Sequence, residues 1–480
     1  MPSGRSCALI FTELRFFALF ALVFGVTWGL GSNRGRKIWL LAASYAFYAA
    51  WDWRFLALIL FSTLVDYCVG LALGREERAE RRRALLGVSL AANLGLLGYF
   101  KYAGFFVDSA EELLAVLGFA VNRSSLEIVL PVGISFYTFQ TLSYTIDVYR
   151  RQLAPTRSLL DLALFVAFFP QLVAGPIVRA AHFLPQLGRA ARWSAVRVRP
   201  MLGLFLVGFV KKACIADNVA PTVDAYFAAP EAYGSTAAWI AVLLFAIQIY
   251  CDFSGYSDMA IASAGLLGFD LGANFRHPYV AASPREFWQR WHISLSTWLR
   301  DYLYVPLGGN RVSTAVTYRN LMLTMVLGGL WHGAAWRFLF WGFLQGVALC
   351  VHRAWTRSPL AASLPQVPGW LGIALTQGVV AFGWIFFRAP DWQTAWTTVR
   401  AVAGQAPGAA ASAAGAAFDP RWWLLIVAFA LAHSIASRMP REGLWDRLPR
   451  PAFAVAYGGA FALAILFVQV ETQPFIYFQF

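Results

Sequence analysis

Two histidines in residues 283–341 sit where an ionisable ring is costly, and chemistry is to be expected of them first. His332 lies inside the apolar run NLMLTMVLGGLWHGAAWRFLFW, and an ionisable group in such a run marks a functional site. A neutral imidazole there is able to take a proton from a hydroxyl as the oxygen attacks an acyl carbon. A buried histidine is also a common satisfied core group, and spacing alone does not separate the two roles.

His292 lies in SPREFWQRWHISLSTWLRDYLYVPLGGNR. Ser283, Pro284 and Glu286 occupy the N-cap, first-turn and third positions of a capping box, so a helix should start there. Trp288, Trp291, Leu295, Trp298 and Tyr302 recur at three- and four-residue steps, which predicts one amphipathic helix at the membrane-water boundary carrying His292. The breaker cluster VPLGG should end it. Around His332, Gly328, Gly329, Gly333, Ala334 and Ala335 let helices approach closely or break, and Trp331 and Trp336 wall the ring in.

The elements that position these residues follow from composition. A chain of 480 residues that is 59% hydrophobic and only 13% charged is an integral membrane protein. Its net charge of +14 is carried by short basic links between apolar runs, the positive-inside pattern, which excludes nucleic-acid binding as the reason for it. By that rule the links at Arg34 to Lys37 and Arg75 to Arg83 face the cytoplasm, and both termini lie outside. The first apolar run, from about Cys7 to Leu30, is read as a retained span, because it carries Glu13 and Arg15 and has no clear cleavage site.

Residues 126–146 read as a fifth span. Residues 159–178, with basic links at both ends and Pro170, Gly175 and Pro176 inside, read as re-entrant. Residues 320–351 should dip in and return, with His332 near the deepest point. Lys211 and Lys212, in the middle of the run 201–220, call for an anionic partner or a polar interior. Asp252 and Asp258 lie six apart in QIYCDFSGYSDMAIASAGLLGF, on different sides of a regular helix, and read as polar glue. The five cysteines have no paired or zinc-type spacing, so no metal site is expected.

Three motifs, EFWQRWHISLSTWLRDYLYVPLGGNR, GGLWHGAAW and the upstream FFPQLVAGPIVR, resemble the membrane-bound O-acyltransferase family, in its bacterial alginate O-acetylase-like branch. The likeness runs from ASYAFYAAWDWRFL to the C-terminus. It implies an all-α polytopic membrane protein of about ten transmembrane helices, plus re-entrant and in-plane helices around a central tunnel. The expected organisation is a single membrane domain over 1–480, with a catalytic core at about 126–352 and C-terminal spans with an aromatic tail at 369–480.

The resemblance makes His332 the catalytic histidine and places His292 on the tunnel. It implies acetyl-coenzyme A as donor substrate, with no resident cofactor, docking near Arg285, Arg290 and Arg300. The protein would sit in the inner (cytoplasmic) membrane among its lipids and serve an extracytoplasmic polysaccharide acceptor, with a periplasmic acetyltransferase as partner. The tail FIYFQF matches a pattern in which a tyrosine, here Tyr477, takes the acyl group; an interfacial anchor is the plainer use of such a tail. Three other readings stay open. One is D-alanyl or other acyl transfer from a carrier-protein thioester to an envelope polymer, another is a transporter motivated by Lys211, Lys212 and the intramembrane acids, and the third is a scaffold that assembles a complex without activity of its own. The sequence has no phosphate-binding loop for an ATP-driven pump.

Overall fold

The structure, a computed structural model, describes residues 11–119, 128–172, 175–363, 367–406, 419, 421–439, 444–469 and 475–476. Among them all regular structure is helical. The chain forms two compact units, residues 1–202 with 259–272, and residues 203–258 with 273–480.

The first unit holds α1 (Leu14–Gly29), α2 (Asn33–Asp52), α3 (Leu56–Arg75), α4 (Ala79–Leu97), α5 (Ala103–Val116), α6 (Ile134–Tyr149), α7 (Leu159–Ala167), α8 (Phe169–Leu172) and α9 (Ala180–Leu187). The WDWR corner is a single 3-10 turn, Trp53–Phe55, started by Asp52, whose side chain accepts from the Arg54 N–H at 2.9 Å. The buried Asp66 of α3 accepts from Ser89 and Asn93 of α4 and from Thr145 of α6, so one carboxylate ties three helices together. The break expected in residues 159–178 falls at Phe168, between α7 and α8. Of the expected fifth span, the described part forms α6, which starts only at Ile134; residues 120–127 lie outside the described residues.

The second unit is entered within α10 (Val198–Phe209), which continues through a π-helical stretch, Val210–Ala216, into α11 (Asp217–Ala228). Then come α12 (Ser235–Leu266), whose residues from 259 onward belong to the first unit, α13 (Pro284–Arg290), α14 (Ile293–Leu299), α15 (Thr314–His332) and α16 (Trp336–Arg357). The chain goes on through α17 (Pro359–Ser363), α18 (Gly369–Arg388), α19 (Trp392–Val402), α20 (Trp422–Arg438), α21 (Leu444–Arg447) and α22 (Arg450–Ile465). Among the described residues, four helical stretches are long and apolar enough to cross a membrane: Asn33–Arg75, Ala79–Val116, Ser235–Leu266 and Gly369–Arg388. Leu14–Gly29, Trp422–Arg438 and Arg450–Ile465 are shorter apolar helices, so a count of ten spans does not follow from helix length and composition.

The helix expected through His292 is broken at that residue. Ser283 Oγ does accept from the Glu286 N–H, while the Glu286 carboxylate accepts from Ala282 N–H, one residue earlier than a strict capping box. The helix then stops at Arg290, because Arg276 N–H bonds to the Arg290 carbonyl and Ile293 N–H bonds to the Asn274 carbonyl at 2.8 Å. Backbone groups that would continue the helix are taken by the 274–276 segment. His292 is left in the left-handed region at φ 42°, costly for a residue with a Cβ and most often found where function demands it.

Helices α15 and α16 form the hairpin expected of residues 320–351, turned by residues 333–335 with His332 at the last position of α15. Their contact is built on glycine. A Cβ at Gly342 would strike the Met325 carbonyl, and one at Gly329 the Phe338 carbonyl, so backbone lies against backbone. Gly342→Ala should therefore lower stability by about 1–3 kcal/mol, read as a fall in the unfolding temperature in detergent, because the hairpin must open to admit one methyl.

Candidate active site

His332 closes α15 and is buried. Its ring packs edge-on against Trp341 at 5.2 Å, Phe387 at 5.4 Å and Trp331 at 5.1 Å between centroids. A cavity of about 390 Å³ opens beside it, lined by His332, Trp288, Trp341, Thr324, Met325, Gly328 and Leu295, with Arg285 and Arg300 also on its wall. The wall is mainly apolar with a few polar groups, the usual make-up of a small-molecule site. Arg290 is not among the lining residues: it binds the Glu286 carboxylate at 2.7 Å and donates to the Arg276 carbonyl. Arg300 also pairs with Asp301.

His292 does not line this cavity. Its ring lies 6.0 Å from that of Trp331, which in turn lies 5.1 Å from the ring of His332. Its Nδ1 lies 3.1 Å from Asn274 Oδ1, which also accepts from Ser294 Oγ at 2.8 Å, while Asn274 Nδ2 donates to Ser257 Oγ at 3.0 Å. With that amide orientation Oδ1 only accepts, so the imidazole proton sits on Nδ1 and Nε2 carries the lone pair. Among the described residues, buried Nε2 has no hydrogen-bond partner, leaving an acceptor for a substrate hydroxyl or amide.

His292 lies in none of the apolar spans, and burial pushes its pKa down to about 3, so the ring is neutral at physiological pH. So weak a base is better suited to holding a donor group than to removing its proton. Asn274 is the partner of His292 that sequence reasoning passed over. It lies in a connector with no periodic signal, and only the fold brings it to a histidine 18 residues on.

Lys211 and Lys212 have the anionic partners their position demanded. Lys211 pairs with Asp258 at 2.7 Å, and the buried Lys212 pairs with Asp252 at 2.6 Å and Asp217 at 2.8 Å. The cations that motivated a transport reading are thus neutralised within the second unit. Asp252 does more than glue helices: its other oxygen accepts from the Ile476 N–H at 2.7 Å. Beside it the buried Phe475 packs on Tyr256 at 4.9 Å and on Phe253 at 5.8 Å, and Phe253 lies edge-on to His292 at 4.6 Å. Phe475 and Ile476 are thereby anchored one aromatic ring from His292. Tyr477 itself lies outside the described residues.

The fold and site together define a polytopic helical membrane protein built for group transfer, with one buried histidine on an apolar cavity and a second held in a single tautomer. The model of the membrane-bound O-acyltransferase family matches residues 148–388, which include both histidines. The chain is 44% identical over 400 residues to the probable alginate O-acetylase AlgI of Pseudomonas aeruginosa, covering 82% of this chain and 75% of that protein. It is 37% identical to the peptidoglycan O-acetyltransferase of Helicobacter pylori, covering 77% of this chain and 74% of the relative. A teichoic acid D-alanyltransferase of Streptococcus thermophilus is 27% identical, over 53% of this chain and 68% of its own length. This chain belongs to the membrane-bound O-acyltransferase family, and it is a membrane-embedded O-acyltransferase.

Proposed function

We propose that this protein takes an acetyl group from acetyl-coenzyme A and passes it across the inner membrane for O-acetylation of an extracytoplasmic polysaccharide such as alginate. The observation that carries this reading is His332 on an apolar cavity whose wall also holds two arginines, Arg285 and Arg300. An acetyl thioester suits the apolar wall, and the arginines suit donor phosphates. His332 takes the proton of an attacking hydroxyl, whose oxygen bonds to the thioester carbonyl carbon. The carbon-sulfur bond then breaks, and the sulfur leaves as coenzyme A thiol with the proton that His332 returns. His292 positions the acyl or hydroxyl group through Nε2.

Tyr477 is the hydroxyl in this scheme, forming a phenolic acetyl ester that a polysaccharide hydroxyl, or a periplasmic transferase acting for it, then attacks. The anchoring of Phe475 and Ile476 beside Asp252 and Phe253 supports it. With radiolabelled acetyl-coenzyme A, wild-type protein should become labelled, and Tyr477→Phe should lose both the label and acceptor acetylation. Normal acetylation by Tyr477→Phe would show the tail to be an anchor only. Acyl transfer from a carrier-protein thioester has weaker support, because the similarity to the D-alanyltransferase covers only about half of this chain.

A further inference from the structure

A cavity of about 640 Å³ lies within the first unit and shares no lining residue with the cavity beside His332. Five cationic residues line it, Arg36, Lys37, Arg189, Arg192 and Arg197, against one carboxylate, Asp270. Lys37 is paired with Asp161 at 2.6 Å, and the arginines Arg36, Arg189 and Arg192 stand on the same wall. The rest of the wall is largely apolar and includes the buried Leu40, Leu187 and Leu267.

The cavity is held open by bonds that do not need an anion. Arg36 donates from Nε to the Leu30 carbonyl at 2.9 Å and from Nη1 to the Ala191 carbonyl at 2.7 Å, fixing the 189–192 loop to the turn between α1 and α2. Asn33 donates to the Leu187 carbonyl at 3.0 Å, and Gln186 exchanges two hydrogen bonds with the Asp270 backbone. Backbone carbonyls do not neutralise a guanidinium, so Arg36 keeps its charge on this wall. The site lies where three apolar helices give out: α1 ends at Gly29, α2 begins at Asn33 and α12 ends at Leu266. Apolar spans end where lipid headgroups begin, and basic pockets between helix ends suit anionic headgroups.

We propose that this cavity binds an anionic membrane phospholipid, its phosphodiester against the arginines and an acyl chain along the apolar wall. A soluble phosphate would meet the arginines but leave the apolar wall uncovered. The test is thermal unfolding of the full-length protein in detergent, titrated with phosphatidylglycerol, phosphatidylcholine or coenzyme A. Phosphatidylglycerol should raise the unfolding temperature saturably, and phosphatidylcholine should not. Arg189→Gln with Arg192→Gln, at two exposed positions, should weaken that response about 30-fold, at about fivefold per cation removed. Ala195→Trp, which fills the cavity without changing charge, should weaken it as well. An unchanged phosphatidylglycerol response in both variants would overturn the proposal. So would an arginine-dependent response to coenzyme A that phosphatidylglycerol does not share, which would assign the site to a soluble nucleotide.

Discussion

His332→Ala should lower coenzyme A release and acetyl transfer by about 10²–10⁴-fold while leaving a folded protein, because the change removes the one imidazole that the described residues place on the cavity wall. The ring is lodged among Trp331, Trp341 and Phe387, so part of the effect could come from lost packing. His332→Gln separates the two causes: it keeps much of the volume but cannot serve as a base at neutral pH. It should be nearly as inactive as the alanine variant, with an unfolding temperature closer to wild type. Release of coenzyme A at the wild-type rate in either variant would remove His332 from the chemistry. His292→Ala should act differently, raising KM more than it lowers kcat, since a weakly basic ring held by Asn274 positions a group and does not deprotonate it.

The second large effect is expected at Lys212. Its ammonium group is almost completely buried between Asp217 and Asp252, and Lys212→Met leaves two carboxylates buried without their cation. Breaking a buried ion pair from one side costs about 3–5 kcal/mol, so this variant should unfold well below wild type in detergent. Lys212→Met with Asp217→Leu removes one of the stranded carboxylates and should recover part of that loss. Asp252→Ala tests the other arm, because it deletes the acceptor of the Ile476 N–H. That variant should lose protein-bound acetyl label at the tail to a greater degree than coenzyme A release. A Lys212→Met protein with wild-type stability would show that the buried charges compensate in some other way.

Local patterns carried much of this. Hydrophobic runs, their basic links and the isolated His332 were legible because each depends only on near neighbours in the chain. The His332 hairpin and the break in residues 159–178 were legible for the same reason, since Gly and Pro act on their own backbone. The amphipathic period through His292 could not show the break at that residue. A period reports which face is apolar, whereas the break comes from two backbone hydrogen bonds to residues 274 and 276.

That this is a polytopic helical membrane protein, that His332 and His292 are its chemical candidates, and that Lys211 and Lys212 need buried anions can all be read along the chain. Which anions these are, which nitrogen of His292 carries the proton, that Arg285 and Arg300 reach the cavity wall while Arg290 does not, and where Ile476 is fastened depend on how the helices pack. The reason is separation along the chain. Asp252 lies 40 residues from Lys212 and 224 from Ile476, and pairings of that range leave no periodic trace, because they depend on how helices pack and not on what any one helix contains.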